Sequence, residues 1–465
     1  MPFVSSVRKR ICLVLAFLFV SVLVTGWWSA NATRKGQAAY YILGHHLETW
    51  WASAFGQDLS RRGHIAGAVR DDQGRPLEGA TVIISTRWGQ TASARSDEQG
   101  RYLLSDVPVG RAVPAAVLHG YAAQVYDPPW PEMSKAVRVR PGKTTSGIDF
   151  VMRPVALPEL PSSLNFGEPV VVSHDYPQPT MAQRTRIQFD RLGYTVTLYV
   201  YEPDPVVLQT ASEPGALSLA GSSPALSYPG LFAAYPGDPL EWEPASMAFV
   251  AQGYVVLAIG PVSMRGMDIT ADVQDTIVAM ILFHQGALSP WVDPGRVVAL
   301  GGSFSSLALL RALHDAPTIR GVVLMGGLTD VYRLRYDVYV NGYTGHTVYP
   351  HLERAMWSLG RPDRAPRLYI ENAPVFSVRG LPPLCIIHGT GDMVIPYDQS
   401  ERLAAALQAE GQPYELHIYR DTGHYPGIYD PDPDTEAMYR QMVLFFAKYL
   451  DGLTTTKEGE PLVRP

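Results

Sequence analysis

The apolar positions of this chain change their period three times. Ile11 to Val24 is almost wholly apolar, with Arg8-Lys9-Arg10 before it and Thr25-Gly26-Trp27-Trp28 after it. From 35 to 62, Tyr40-Tyr41-Ile42-Leu43 and Trp50-Trp51 alternate with polar groups, which predicts an amphipathic helix. From Gly63 short alternating runs take over: Ile65 to Val69, Thr81 to Ser85 and Tyr102-Leu103-Leu104, with Gly147 to Met152 closing the block. The turns between them, Asp71-Asp72-Gln73-Gly74 and Ser96-Asp97-Glu98-Gln99-Gly100, have the chemistry of tight reversals, so the block reads as a small β-sandwich.

Pro154 to Pro179 is a proline-rich connection. Beyond it, Arg186 to Asp190 and Tyr194 to Tyr201 read as antiparallel strands, and Val255 to Ile259 as a buried one. Asp272 is placed to cap a helix running through Gln285, and Ser400 to Glu410 ends at Gly411, a good helix stop. In the last helix, Thr435 to Leu450, Met438, Met442, Phe445, Phe446 and Tyr449 share one face, and the tail from Thr454 is polar. No internal repeat interrupts this order.

The candidate chemistry begins where Val297 to Leu300 runs into Gly301-Gly302-Ser303-Phe304-Ser305 and then into the helical run Leu307 to His314. A serine on a tight strand-to-helix turn presents its hydroxyl, and small neighbours let strand and helix approach. A later buried strand, Pro383 to His388, leads through Gly389-Thr390-Gly391 to Asp392, and the strand Glu415 to Arg420 leads through Asp421-Thr422-Gly423 to His424. Ser303, Asp392 and His424 thus fall, in that order, at the ends of three different strands, as nucleophile, acid and base of an α/β-hydrolase do. The N–H of Phe304, next to the nucleophile, is the expected oxyanion donor. Tyr235, at a Tyr-Pro-Gly turn whose Pro236 lacks an N–H, is the candidate for the second through its hydroxyl.

Several phrases carry a family resemblance: Val292-Asp293-Pro294-Gly295-Arg296, Glu371-Asn372-Ala373-Pro374-Val375, His388-Gly389-Thr390-Gly391-Asp392 and Gly423-His424. Over about residues 182 to 452 the chain resembles the catalytic domain of the prolyl oligopeptidase family of serine peptidases. Asp392 stands 89 residues after Ser303 and His424 a further 32 on, spacings close to that family's. Ser305-Ser306 is a departure, because the family usually has paired glycines there. The turn at Tyr235 resembles that of the dipeptidyl-peptidase branch, in which a tyrosine hydroxyl supplies the second oxyanion contact. Gly67-Ala68-Val69, Pro76 to Val82 and Asp97 to Tyr102 resemble the carboxypeptidase regulatory-like domain, covering about 63 to 153. That resemblance implies a transthyretin-like sandwich without catalytic residues, expected to fold independently of the rest.

The expected architecture is therefore α/β: an α/β-hydrolase doubly wound sheet over 182–452, preceded by an all-β transthyretin-like sandwich over 63–153 and an N-terminal membrane helix or signal sequence over 1–34. A juxtamembrane segment (35–62), a linker (154–181) and a disordered tail (453–465) complete it. At 465 residues and 46% apolar content the chain is long enough for several buried cores. The net charge of −6, with no cationic stripe, argues against a nucleic-acid partner. Cys12 and Cys385 lie in separate apolar runs and should not pair.

Residues 11 to 28 would span about 27 Å as a helix, which suits either an uncleaved anchor with interfacial tryptophans or a signal peptide cut after Ala32. Either places the hydrolase outside the cytoplasm, with the membrane as a partner if the helix is retained. No cofactor and no metal are expected; His45-His46 has no ligand at workable spacing. His388 is expected to be a structural hydrogen-bonder, and Asp330, Tyr332, Arg335 and Tyr339 packing or surface residues. The leading activity is a serine peptidase acting through an acyl-enzyme on a peptide substrate. A carboxylesterase or deacetylase acting on a small ester is the alternative, because the stretch before the hydrolase is too short for the β-propeller that the family usually carries. A catalytically inactive binding protein is the third reading.

Overall fold

The computed structural model describes residues 46, 47, 50, 61–86, 88–126, 136–203, 227–261, 269–314, 319–339, 360–362, 365–424 and 433–451. The expected segments 1–34 and 453–465, nearly all of 35–60, and His45 with Cys12 lie outside the described residues. No helix among the described residues is long and apolar enough to cross a membrane.

Residues 62–152 form two facing sheets. One contains Arg62–Asp71, Arg101–Pro108, Thr144–Thr145 and Phe150–Met152; the other contains Thr81–Ser85, Thr91–Arg95, Gly110–Leu118, Tyr121–Val125 and Val137–Val139. Between them lies an apolar layer that includes Ile65, Val69, Val82, Ile84, Leu104 and Phe150. The alternation in the sequence produces this directly, since in Arg101–Pro108 the side chains of Tyr102 and Leu104 point inward while their neighbours face solvent.

The second unit is a ten-stranded sheet. Its antiparallel edge, Asn165–Phe166, Val170–His174, Thr180–Arg191 and Tyr194–Pro203, leads into Val255–Ile259. Beyond that the order is Tyr228–Ala234, Val292–Gly302, Val322–Met325, Leu384–Gly389 and Tyr414–Tyr419, all parallel. The continuous apolar runs follow from burial on both faces, and every residue of Val255–Ile259 and of Leu384–Gly389 is buried. One face packs on Ile269–His284 and Ser305–Ala312, the other on Glu243–Val250 and Pro433–Asp451.

Three boundaries differ from expectation. The stretch 154–181 is only partly a linker, because Asn165–Phe166 and Val170–His174 already add strands to the hydrolase sheet. Asp272 does not cap its helix, which is described from Ile269; it lies in the first turn, 4% exposed, and its carbonyl accepts from Thr276 Oγ1 at 2.7 Å. The helix expected over Ser400 to Glu410 is Asp398–Ala409, and Gly411 follows with φ +62°, the left-handed backbone that ends helices at little cost to glycine.

The sandwich is not a detached spacer. Ile83, Val113, Ala115, Ala123 and Val125 belong to the same apolar cluster as Tyr332, Val375, Val378 and Leu381 of the hydrolase. Around this seam Arg95 pairs with Glu410, and the Nδ1 atoms of His119 and His314 are 2.7 Å apart. One of these nitrogens must carry the proton and the other accept it. Burial first, then the neighbouring His119 and Arg311, pushes His314 down to about 3, so the pair shares one N–H without charge at neutral pH. The shared core has a physical reason: alternate residues of the strand Gly110–Leu118 fall in two different apolar clusters, so this sheet is apolar on both faces.

Candidate active site

The turn after Val292–Gly302 holds Ser303 at φ +52°, a left-handed conformation that a non-glycine residue adopts at a cost on the order of 1–3 kcal/mol. Three backbone hydrogen bonds hold it there: Ser303 N–H donates to Met325 O at 3.0 Å, and Ser303 O accepts from Ser306 and Leu328 N–H, each at 3.2 Å. Gly301 lets the following helix close in, because a Cβ there would stand 2.7 Å from Leu309 Cδ2.

The departure at 305 and 306 has a local explanation. Ser305 Oγ donates to Tyr235 O at 2.9 Å, fastening the first helical turn to the end of the neighbouring strand. The volume of Ser306 is matched by a glycine opposite: a Cβ on Gly327 would meet Ser306 Oγ at 2.9 Å.

The structure brings Ser303, His424 and Asp392 together. His424 Nε2 lies 2.9 Å from Ser303 Oγ, and His424 Nδ1 lies 2.6 Å from Asp392 Oδ2. Nδ1–H therefore donates to the carboxylate, leaving the Nε2 lone pair for the serine hydroxyl. Asp392 Oδ1 accepts the N–H groups of Val394 and Ile395 at 2.8 and 2.9 Å. Burial works to raise the Asp392 carboxyl, but the hydrogen bonds from His388 and His424 outweigh it and hold the group well below the usual carboxylate range.

Two contributors were not assigned a part in the site from the sequence. His388 is fully buried and hydrogen-bonded, as expected, but its partner is the acid itself: Nε2 lies 3.0 Å from Asp392 Oδ2 and 3.0 Å from Ile395 O. A carbonyl can only accept, so Nε2 carries the proton, and Nδ1 takes the hydroxyl of Ser400 at 2.7 Å. Gly326, at φ +54°, is pressed against the dyad; a Cβ there would stand 3.3 Å from His424 Nδ1 and 3.4 Å from Asp392 Oδ2. A glycine after a strand at a sheet's C-terminal edge is the only sequence signal for it. The loops bearing Asp392 and His424 also meet backbone to backbone. Gly391 N–H donates to Thr422 O at 3.0 Å, and a Cβ on Gly389 would lie 2.1 Å from that oxygen.

The Phe304 N–H, at the start of the elbow helix, has no acceptor among the described residues and stands beside the serine as an oxyanion donor must. The expectation for Tyr235 is corrected. Its hydroxyl accepts from Ser246 Oγ at 3.2 Å, and its ring stacks on Trp242 at 5.3 Å and 5°, within the apolar layer under the sheet. A buried phenol takes the nearest ring and hydroxyl, and the turn that follows Tyr235 delivers both. Its backbone is committed as well, with N–H donating to Ile259 O at 2.8 Å.

Asp330, Tyr332 and Arg335 are buried, at 0%, 1% and 2% exposure. Asp330 takes Arg402 Nη2 at 2.7 Å, and Arg335 Nη1 donates to Gly360 O at 2.8 Å, so both are packing residues. Among the described residues one thiol, carboxylate and imidazole come within 4.8 Å of one another, those of Cys385, Glu415 and His417. The Glu415 carboxylate is already engaged by Lys448 at 2.7 Å and Gln441 at 3.2 Å, and burial pushes the Cys385 thiol up, which keeps it protonated. That donor set is an ion-paired strand edge and a poor metal ligand.

A strained serine on a strand-to-helix turn, an imidazole and a buried carboxylate, on the parallel sheet that carries them, make this protein a serine hydrolase of the α/β-hydrolase fold. Residues 265–453 match the prolyl oligopeptidase family, and residues 64–153 match the carboxypeptidase regulatory-like domain. No curated protein sequence matches the chain. Among solved structures, the propionate-bound esterase Est2 of Thermogutta terrifontis aligns at 20% identity over 54% of this chain and 88% of its own, with a TM-score of 0.39. A variant of the esterase rPPE aligns at 17% identity over 58% and 83%, with a TM-score of 0.45. Esterase B of Lactobacillus rhamnosis aligns at 15% over 63% and 88%, with a TM-score of 0.43.

Proposed function

We propose that the protein is an extracytoplasmic serine peptidase of prolyl-oligopeptidase type, in which Ser303 attacks an acyl carbon and water later releases the acyl group. The hydrogen-bonded line Ser303–His424–Asp392 carries this reading. As Ser303 Oγ attacks, His424 Nε2 takes its proton, and Asp392 stabilises the imidazolium without accepting a proton, its four acceptor positions being filled by two imidazoles and two backbone N–H groups. The tetrahedral oxyanion is met by the Phe304 N–H, one such donor being worth about 2.7–4 kcal/mol of barrier. His424 then protonates the leaving group and activates the water for deacylation.

The peptidase reading is supported by the prolyl oligopeptidase match. The location is supported by Arg8-Lys9-Arg10 ahead of the apolar run, which directs the following chain across a membrane. A second reading, hydrolysis of carboxylic esters, is favoured by the module ahead of the hydrolase: the described residues there form a small sandwich that joins the hydrolase core, and no propeller is found among them. Turnover of matched peptide amides and esters sharing one acyl group separates the two. Amide turnover within tenfold of the ester identifies a peptidase; ester turnover alone overturns that reading in favour of the second.

A further inference from the structure

We propose that the cavity under the nucleophile, between the Glu243–Val250 and Pro433–Asp451 helices, receives a small apolar group of about three carbons on the acyl side of the substrate. This rests on the reading of Ser303 as the nucleophile.

The cavity begins one residue from that serine. Gly302 and Met325 line it, and Met325 O is the group that holds the Ser303 N–H. Trp242, Ala248, Met438 and Met442 form its walls. Three of its polar groups are already engaged: the Tyr235 hydroxyl oxygen accepts from Ser246, Trp242 Nε1 donates to Pro236 O at 2.9 Å, and the Tyr439 hydroxyl donates to Ala248 O at 2.7 Å. Among the described residues no charged side chain lines the cavity, so a ligand's hydrocarbon gains from entering. Methionines adapt their shape to unbranched and branched chains alike.

The cavity volume is about 70 Å³, roughly half the void of about 150 Å³ that accepts benzene. Position then distinguishes acyl from leaving group. In the sheet, the strands leading to Asp392 and His424 lie on one flank of the elbow strand, and the strand leading to Tyr235 lies on the other. The leaving group must face His424, which protonates it, so the acyl remainder is directed toward the side of Tyr235 and Trp242.

Two substrate series test this, 4-nitrophenyl acetate, butyrate and hexanoate, and the 4-nitroanilides of glycine and leucine, with fluorophosphonate labelling of Ser303 read in parallel. In the full-length protein kcat/KM should rise about fourfold per buried methylene, or roughly fifteenfold from acetate to butyrate. Ala248→Leu, which fills the cavity, should lower the butyrate-to-acetate ratio several-fold, and Met438→Ala, which enlarges it, should raise the hexanoate-to-butyrate ratio. A rise confined to esters assigns the occupant as an alkanoyl chain, and a leucine-over-glycine preference that moves with the same variants assigns it as a peptide side chain. Ratios unchanged by both variants while labelling persists overturn the cavity's role; absent labelling of the wild type overturns the nucleophile reading instead.

Discussion

His388 Nε2 donates to Asp392 Oδ2 at 3.0 Å, so the carboxylate that orients His424 is itself held by a second imidazole from the preceding strand. Two acceptors, Asp392 and Ile395 O, and one donor, Ser400, depend on this buried ring. His388→Phe leaves Ile395 O and the Ser400 hydroxyl without this partner, a loss of about 1–3 kcal/mol for each buried group that water cannot reach, while Asp392 Oδ2 keeps His424. Thermal melting should show the destabilisation. With one donor fewer, the carboxylate is less firmly placed to orient the His424 imidazole, so kcat should fall while KM changes little. An unchanged kcat would leave His388 a purely structural residue.

Gly326 is the second prediction. Alanine at φ +54° is strained by about 1–2 kcal/mol, and its Cβ would stand 3.3 Å from the His424 ring. The imidazole must yield by a few tenths of an ångström, and a misplacement near 1 Å costs about a hundredfold in rate. Gly326→Ala should therefore lower kcat several-fold, up to about tenfold, while substrate KM changes little. Steady-state kinetics on a single ester check it.

Tyr235→Phe separates the two placements of the phenol. With its hydroxyl on Ser246 and its ring on Trp242, removing the oxygen should cost about 1 kcal/mol of stability and leave kcat within twofold of wild type. A hundredfold fall in kcat would instead put the hydroxyl at the oxyanion.

The seam between sandwich and hydrolase gives the fourth. Ile83 is fully buried at the shared cluster, so Ile83→Asp places a charge there and should destabilise both units in one transition, followed by melting and by loss of labelling at the same temperature. Two separate transitions would show the units to be independent.

These residues also show what the chain reveals of itself. Ser303, Asp392 and His424 were legible because each follows a strand of the parallel sheet, and such a sheet aligns its strand ends at one edge. The strands Thr81–Ser85 and Val255–Ile259 were read to the residue, the first from the turn chemistry that separates the short strands and the second from its unbroken apolar run. Tyr235 was misplaced because a Tyr-Pro-Gly turn fixes where the backbone turns and not where the ring goes, which Trp242 and Ser246 decide. The shared core was missed because alternation identifies a sandwich's inner faces but does not reveal that one outer face is apolar too, as Ile83 and Val113 make it. His388 carries no signal of its own; only its distance to Asp392 assigns it.

The central claim is that Ser303 is activated by His424 for acyl transfer, from the 2.9 Å contact between Nε2 and Oγ. Fluorophosphonate labelling measures it directly, because the probe reacts with an activated serine whatever the natural substrate. Wild type should label to one equivalent, His424→Ala at least a hundredfold more slowly, and Ser303→Ala not at all. Full-strength labelling in Ser303→Ala would contradict the account.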